Sequence, residues 1–346
     1  MKIDIFPHLV QKKYQDTFLK KMIKGVNPSG LDSNSPLERR GGMNFAPKIS
    51  PKTSLSISDL EVRFRLMDRY PDVLQVLNVG LPPLEDRYVT PENAIGLAQL
   101  ANDEMAELVA KYPDRFVAAV ACLPLNNIDA ALKETDRAIK DLGFRGIQIF
   151  SSINGEPLDT PKFRPLFAKM AEYDLPIWIH PCDPPIANEL KNLPAPIAKM
   201  LSDRADDTPM GGFVWPFETS LAMMKLTFSG IFKDYPDIKF ITHHCGAMIP
   251  FFRGRPESRY PGSLKYLRKF YGDTAVYGNT TALMCGYDFF GADHLLFGTD
   301  MPLGGGGYGP GRTFETIRAI ERMEISESDK DKIFFDNARQ LLRLPL

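Results

Sequence analysis

Four of the chain's five histidines stand at the C-terminal ends of short apolar runs. His8 follows the run at 2–5, His180 closes Trp178-Ile179-His180-Pro181, and His243 and His244 follow the run at 238–242. Asp300 follows another such run in Phe297-Gly298-Thr299-Asp300-Met301-Pro302. Two neutral imidazoles and a carboxylate form a ligand set for a divalent ion such as zinc, with positions left for water and substrate. Such an ion can polarise a substrate oxygen or generate a nucleophile from bound water, while a further imidazole moves a proton. Cys182, next to His180, has no cationic cradle around it in the sequence and reads as an inert thiol.

The elements that must position these groups follow an alternating pattern. Eight β-rich runs recur at 2–5, 73–79, 116–122, 146–150, 176–179, 238–242, 274–277 and 295–297. Between them lie segments with helical spacing of apolar residues, such as Pro91–Lys111 and 129–142. Thr90-Pro91-Glu92 and Asn126-Asn127 are capping sequences, and Leu142-Gly143 is a stop. The first strand runs into Phe6-Pro7-His8 instead of a glycine-rich phosphate turn, which argues against a doubly wound sheet. The expected fold is therefore α/β: a single (β/α)8 TIM barrel over residues 1–346. Residues 24–53 and 183–209 form long loop insertions at the C-terminal face of the strands, and the glycine-rich 304–311 is a third long loop. In that barrel the histidines and Asp300 converge on one mouth. His294 falls at the start of the eighth strand and reads as structural. So does His243, because adjacent strand residues point to opposite faces.

Composition narrows the function classes. The 346 residues are 44% hydrophobic and 25% charged, enough for a full core without disulfides. Lys and Arg number 42 against 43 Asp and Glu, so no excess positive field is present to attract nucleic acid or anionic lipid. The four cysteines have no paired spacing, which fits a reducing compartment, and no apolar run approaches a signal or membrane segment. The expectation is a cytoplasmic protein.

Taken together, several motifs resemble the amidohydrolase superfamily, in the branch of aminocarboxymuconate-semialdehyde and resorcylate decarboxylases. They include Met1-Lys2-Ile3-Asp4-Ile5, Leu142-Gly143-Phe144-Arg145-Gly146, Leu175-Pro176-Ile177-Trp178-Ile179-His180-Pro181 and Trp215-Pro216-Phe217-Glu218-Thr219. Further on come His244-Cys245-Gly246 with Pro250, and Leu296-Phe297-Gly298-Thr299-Asp300-Met301-Pro302. The resemblance implies metal-ligand roles for His8, His180 and Asp300, and an acid/base role for His244. It further implies that Arg255, in Gly254-Arg255, reaches a substrate carboxylate, and it suggests a homodimer. The chain departs from the pattern at Phe6, where the branch places a histidine or glutamate ligand. Phenylalanine cannot coordinate, so one protein ligand is lost and substrate gains an open position.

The resulting expectation is a metal-dependent enzyme, zinc first and manganese second, that decarboxylates a small aromatic or unsaturated carboxylate without oxidation. In this reading His244 and Asp300 are catalytic, and Arg255, Glu218 and Phe6 bind substrate, with Trp178, Trp215 and Phe217 as further aromatic candidates for its pocket. Two rivals stand beside it: hydrolysis of an amide, lactone or diketone by metal-activated water, and a degenerate metal-free binding barrel.

Overall fold

A computed structural model describes residues 1–25, 57–80, 84–85, 89–182, 211–302 and 311–346. Nearly all of the two expected insertions, and residues 304–310 of the glycine-rich loop, lie outside the described residues.

Among the described residues, eight parallel strands carry the architecture: β1 (Lys2–Asp4), β2 (Val73–Leu77), β3 (Phe116–Ala119, resuming after Val120 as Ala121–Cys122), β4 (Ile147–Phe150), β5 (Ile177–His180), β6 (Phe240–Thr242), β7 (Tyr271–Asp273) and β8 (Leu295–Leu296). Each pairs with its sequence neighbours. Two sets of backbone bonds join the ladders into a ring. At Val120 the third strand switches partners, Val120 donating to Leu77 and Ala121 to Gly146. At the other seam Ile5 donates to the Phe297 carbonyl at 2.9 Å, and His8 to the Met301 carbonyl at 2.7 Å. The seventh strand is Tyr271–Asp273 and not 274–277. Gly272 and Asp273 are poor β-formers by propensity, yet space at 272 is tight, since a Cβ there would lie 3.0 Å from the Phe290 ring and 3.3 Å from the Cys245 backbone.

Helices cover the ring from outside. The Thr90 hydroxyl accepts from the Asn93 amide at the start of α-helix Pro91–Lys111, and Asn127 caps Ile128–Lys140 in the same way. Their apolar faces, for example Leu97, Ala98, Ala101 and Met105, are buried in the core layer between helices and strands. A second core fills the barrel itself. Ile3, Ile5, Val76, Ala118, Val120, Trp178, Ile241 and Leu296 point inward, and Leu341, Leu342 and Leu344 of the C-terminal segment pack with them. Burying each such side chain contributes about 1.5–3 kcal/mol, so the barrel is a packed plug beneath the mouth. Trp178 belongs to this plug; its indole N–H donates to the Ile5 carbonyl at 3.1 Å. Among the described residues no helix is long and apolar enough to cross a membrane, and all four cysteines are free.

Candidate metal centre

The C-terminal ends of β1, β5, β6, β7 and β8 bring the chemistry together. His8, His180 and His243 are essentially fully buried, and one ring nitrogen of each lies within 4.8 Å of the others. Asp300 joins them. Its Oδ1 stands 3.0 Å from His8 Nε2 and 3.4 Å from His243 Nε2, and its Oδ2 accepts from the Tyr277 hydroxyl at 2.7 Å.

Each imidazole is held by different neighbours. His180 donates from Nδ1 to the Pro181 carbonyl at 2.6 Å, which leaves Nε2 as the lone-pair nitrogen. Burial, with His8 and His243 nearby, holds its pKa well below the ordinary value, so it is neutral. His8 has its backbone carbonyl gripped by Arg63 Nη1 at 2.8 Å, from helix Leu60–Met67. Its ring rests against Gly80, where a Cβ would lie 2.8 Å from Nδ1. His243 lies between two rings, Phe6 at 4.0 Å and His244 at 3.9 Å, both near parallel. Its Nδ1 bonds the Asp273 carboxylate, whose other oxygen accepts from the amides of Cys245 and Ala275. Burial alone would lower the His243 pKa, but Asp273 and Asp300 outweigh it and raise it to about 9. For Asp300, burial is likewise outweighed by His243 and His8, and the carboxyl stays ionised.

His244 is only partly buried and donates from Nδ1 to the Ala275 carbonyl at 2.9 Å. Burial and the neighbouring His243 push its pKa down to about 4, so it is a neutral imidazole whose Nε2 carries the lone pair. Both histidines reach the site because strand alternation stops there. His243 is extended, and His244 and Cys245 then adopt left-handed φ of 55° and 57°. Tyr277 (φ 55°) and Asp300 (φ 60°) share that conformation. Each costs roughly 1–2 kcal/mol in a non-glycine residue, and such strain gathers where side chains must be aimed. The expectation that His243 is structural therefore fails on placement: it sits at the centre of the cluster.

Other expected residues are placed as follows. Phe6 is fully buried, its ring against the imidazoles. Glu218 is buried on helix Gly211–Phe228, and Trp215 of the same helix meets His180 edge-on at 5.9 Å. Phe217 is half exposed. Arg255 is exposed on helix Gly254–Arg259 and, among the described residues, joins none of the cluster's hydrogen bonds or ion pairs. A different guanidinium is tied to the cluster: Arg312 stacks over the Tyr277 ring at 4.0 Å and pairs with Glu315 at 2.7 Å. Asp273, Tyr277 and Arg312 were not singled out from the sequence.

The donor set fits a divalent ion. Among the described residues, His8 Nε2 and His243 Nε2 are buried without a hydrogen bond, although both lie near Asp300 Oδ1. Two buried ring nitrogens set close to one carboxylate oxygen but not aligned to it suit a cation between them, which would take the place of a proton on either ring, since buried polar atoms otherwise find partners.

A family model described as Amidohydrolase matches residues 65–344. The 2-amino-3-carboxymuconate-6-semialdehyde decarboxylase of Dictyostelium discoideum is 28% identical over 99% of this chain and 92% of its own length. The gamma-resorcylate decarboxylase of a Rhizobium species is 31% identical over 82% of this chain and 87% of its own. Among solved structures, a dihydroxybenzoic acid decarboxylase from a Polaromonas species, with bound manganese and the inhibitor 2-nitroresorcinol, superposes with a TM-score of 0.76. It is 24% identical and covers 99% of this chain and 96% of that one.

Proposed function

The chain belongs to the amidohydrolase family, and from that membership we propose that it is a metal-dependent, non-oxidative decarboxylase of small aromatic or unsaturated carboxylates. The observation that carries this reading is the buried convergence of His8, His180 and Asp300 at the strand ends. The two relatives described above, which cover 99% and 82% of the chain, are decarboxylases, which favours this reaction over hydrolysis. We assign His8, His180 and Asp300 as protein ligands. Zinc suits a nitrogen-rich set of this size, and manganese is the ion bound in the solved Polaromonas relative. When bound, the ion supplies positive charge that orients substrate oxygens and stabilises charge developing on them.

The chain's own residues do the rest. His244, neutral and fixed by Ala275, accepts the proton of the substrate's ring hydroxyl at Nε2 and returns it to the ring carbon. The bond from that carbon to the carboxylate breaks, carbon dioxide leaves, the electron pair stays on the ring, and a solvent proton restores the hydroxyl. Tyr277 holds Asp300 in place through Oδ2. A guanidinium binds the carboxylate bidentately; Arg255 is the candidate from the resemblance, and Arg312 is the one joined to the cluster through Tyr277. Glu218, on the helix that also carries Trp215, and Phe6, beneath His243, shape the substrate site. A homodimer completes the reading by analogy, checked by sedimentation velocity.

The test is carbon dioxide release, followed by membrane-inlet mass spectrometry, from zinc- or manganese-loaded protein offered 2,6-dihydroxybenzoate, 5-carboxyvanillate and muconate-type acids. Release from at least one substrate, reduced 10²-fold or more in His244→Ala, is expected. No release from metal-loaded protein with any of the panel would refute decarboxylation of these classes.

A further inference from the structure

We infer that His243 is a metal ligand in this chain, supplying the coordination that Phe6 cannot, and that Asp273 is the outer carboxylate that aims it. The inference rests on the reading that the cluster holds a divalent ion, and it deepens that reading by naming a ligand on β6.

Four observations carry it. First, the ring nitrogens that lie within 4.8 Å of one another are those of His8, His180 and His243, so the β6 imidazole belongs to the cluster as closely as the other two. Second, the Asp273 carboxylate engages Nδ1 of His243, while Nε2, 3.4 Å from Asp300 Oδ1, is buried with no hydrogen bond among the described residues. A carboxylate on one imidazole nitrogen fixes the tautomer and leaves the other nitrogen for a metal. Third, the ring cannot readily turn to another task. It is fully buried, with Phe6 stacked on one face and His244 on the other. The residue that replaces the usual β1 ligand thus packs flat against the imidazole that takes over its role. Fourth, His244 is partly exposed and has a free Nε2 among the described residues, so it suits proton transfer better than its buried neighbour. The two adjacent histidines divide the work, His243 coordinating and His244 carrying the proton.

The experiment is X-ray absorption spectroscopy at the metal edge of zinc-loaded wild-type protein, paired with chelator competition. Three imidazoles in the outer-shell scattering are expected. His243→Ala should weaken zinc binding by roughly 100-fold or more, and Asp273→Asn by roughly 10- to 100-fold, with the fold checked by circular dichroism. If His243→Ala does not fold, the imidazole count in the wild type decides alone. Zinc bound by only two imidazoles, or wild-type affinity in a folded His243→Ala, would overturn this inference and leave the bound-ion reading standing. A wild-type protein that takes up no zinc or manganese would overturn both.

Discussion

Replacing Gly80 with alanine tests how the cluster is held without replacing any proposed ligand. The new Cβ would lie 2.8 Å from Nδ1 and 3.1 Å from Cγ of His8. Ordinary carbon contacts stand at about 3.5–4.0 Å, so the ring has to retreat by roughly 0.5–1 Å. Its φ lies outside the left-handed region, so alanine carries no backbone strain there and the effect is steric. Loss of flexibility in the unfolded chain stabilises by about 0.4–1 kcal/mol, and overpacking costs about 1–3 kcal/mol. The net change in folding stability is therefore at most about 2.6 kcal/mol, from those two ranges. Metal affinity should fall further in proportion. A displaced support for a ligand typically costs 10- to 100-fold, or about 1.4–2.7 kcal/mol. Chelator competition measures the affinity and urea unfolding the stability. A folded Gly80→Ala protein that binds zinc or manganese like the wild type would show that the contact between His8 and residue 80 does not position the imidazole.

Three further outcomes are expected. Tyr277→Phe removes the hydroxyl that donates to Asp300 Oδ2; a hydrogen bond to a charged acceptor contributes about 1.5–3 kcal/mol, so kcat should drop roughly 10- to 100-fold, read by carbon dioxide release. Asp4 is fully buried, and burial, opposed by Thr299, the Phe6 amide and Arg63, raises its pKa from 3.8 to about 6. The folded state thus binds this proton more tightly than the unfolded chain. The resulting stabilisation is complete below pH 3.8 and is lost as pH rises through 6, by up to about 3 kcal/mol. Urea midpoints between pH 4 and 7 should show the decline in wild type and lose that contribution in Asp4→Asn. Arg312→Met should raise KM for a carboxylate substrate about tenfold or more and Arg255→Met should change it little; the reverse order in steady-state kinetics would return the role to Arg255.

Much of the frame was legible because local chemistry and tertiary structure agree. The helix at Pro91–Lys111 follows from Thr90 as cap, Pro91 in the first turn and the apolar face that the core buries. The positions of His8, His180 and Asp300 follow from strand ends alone, since a parallel barrel gathers them at one mouth. The failures are equally physical. Period-two alternation assigned His243 to the wrong face because it assumes an extended chain, and the chain turns left-handed at His244. Asp273 was missed because propensity favoured Thr274-Ala275-Val276-Tyr277 as the seventh strand. The true strand ends one residue before Thr274, with Asp273 at its tip. A carboxylate directly after Gly272, ahead of the apolar run, was the available signal. The burial of Arg63, which grips the His8 carbonyl and Gln75, had none.

The most direct measurement is metal stoichiometry by inductively coupled plasma mass spectrometry, on untagged protein exposed to zinc and manganese and then desalted. Close to one divalent ion per chain in the wild type, lost in His180→Ala, is the predicted result. Protein that stays metal-free, or a His180→Ala variant that keeps a full complement, would contradict the assignment of this cluster as a metal centre.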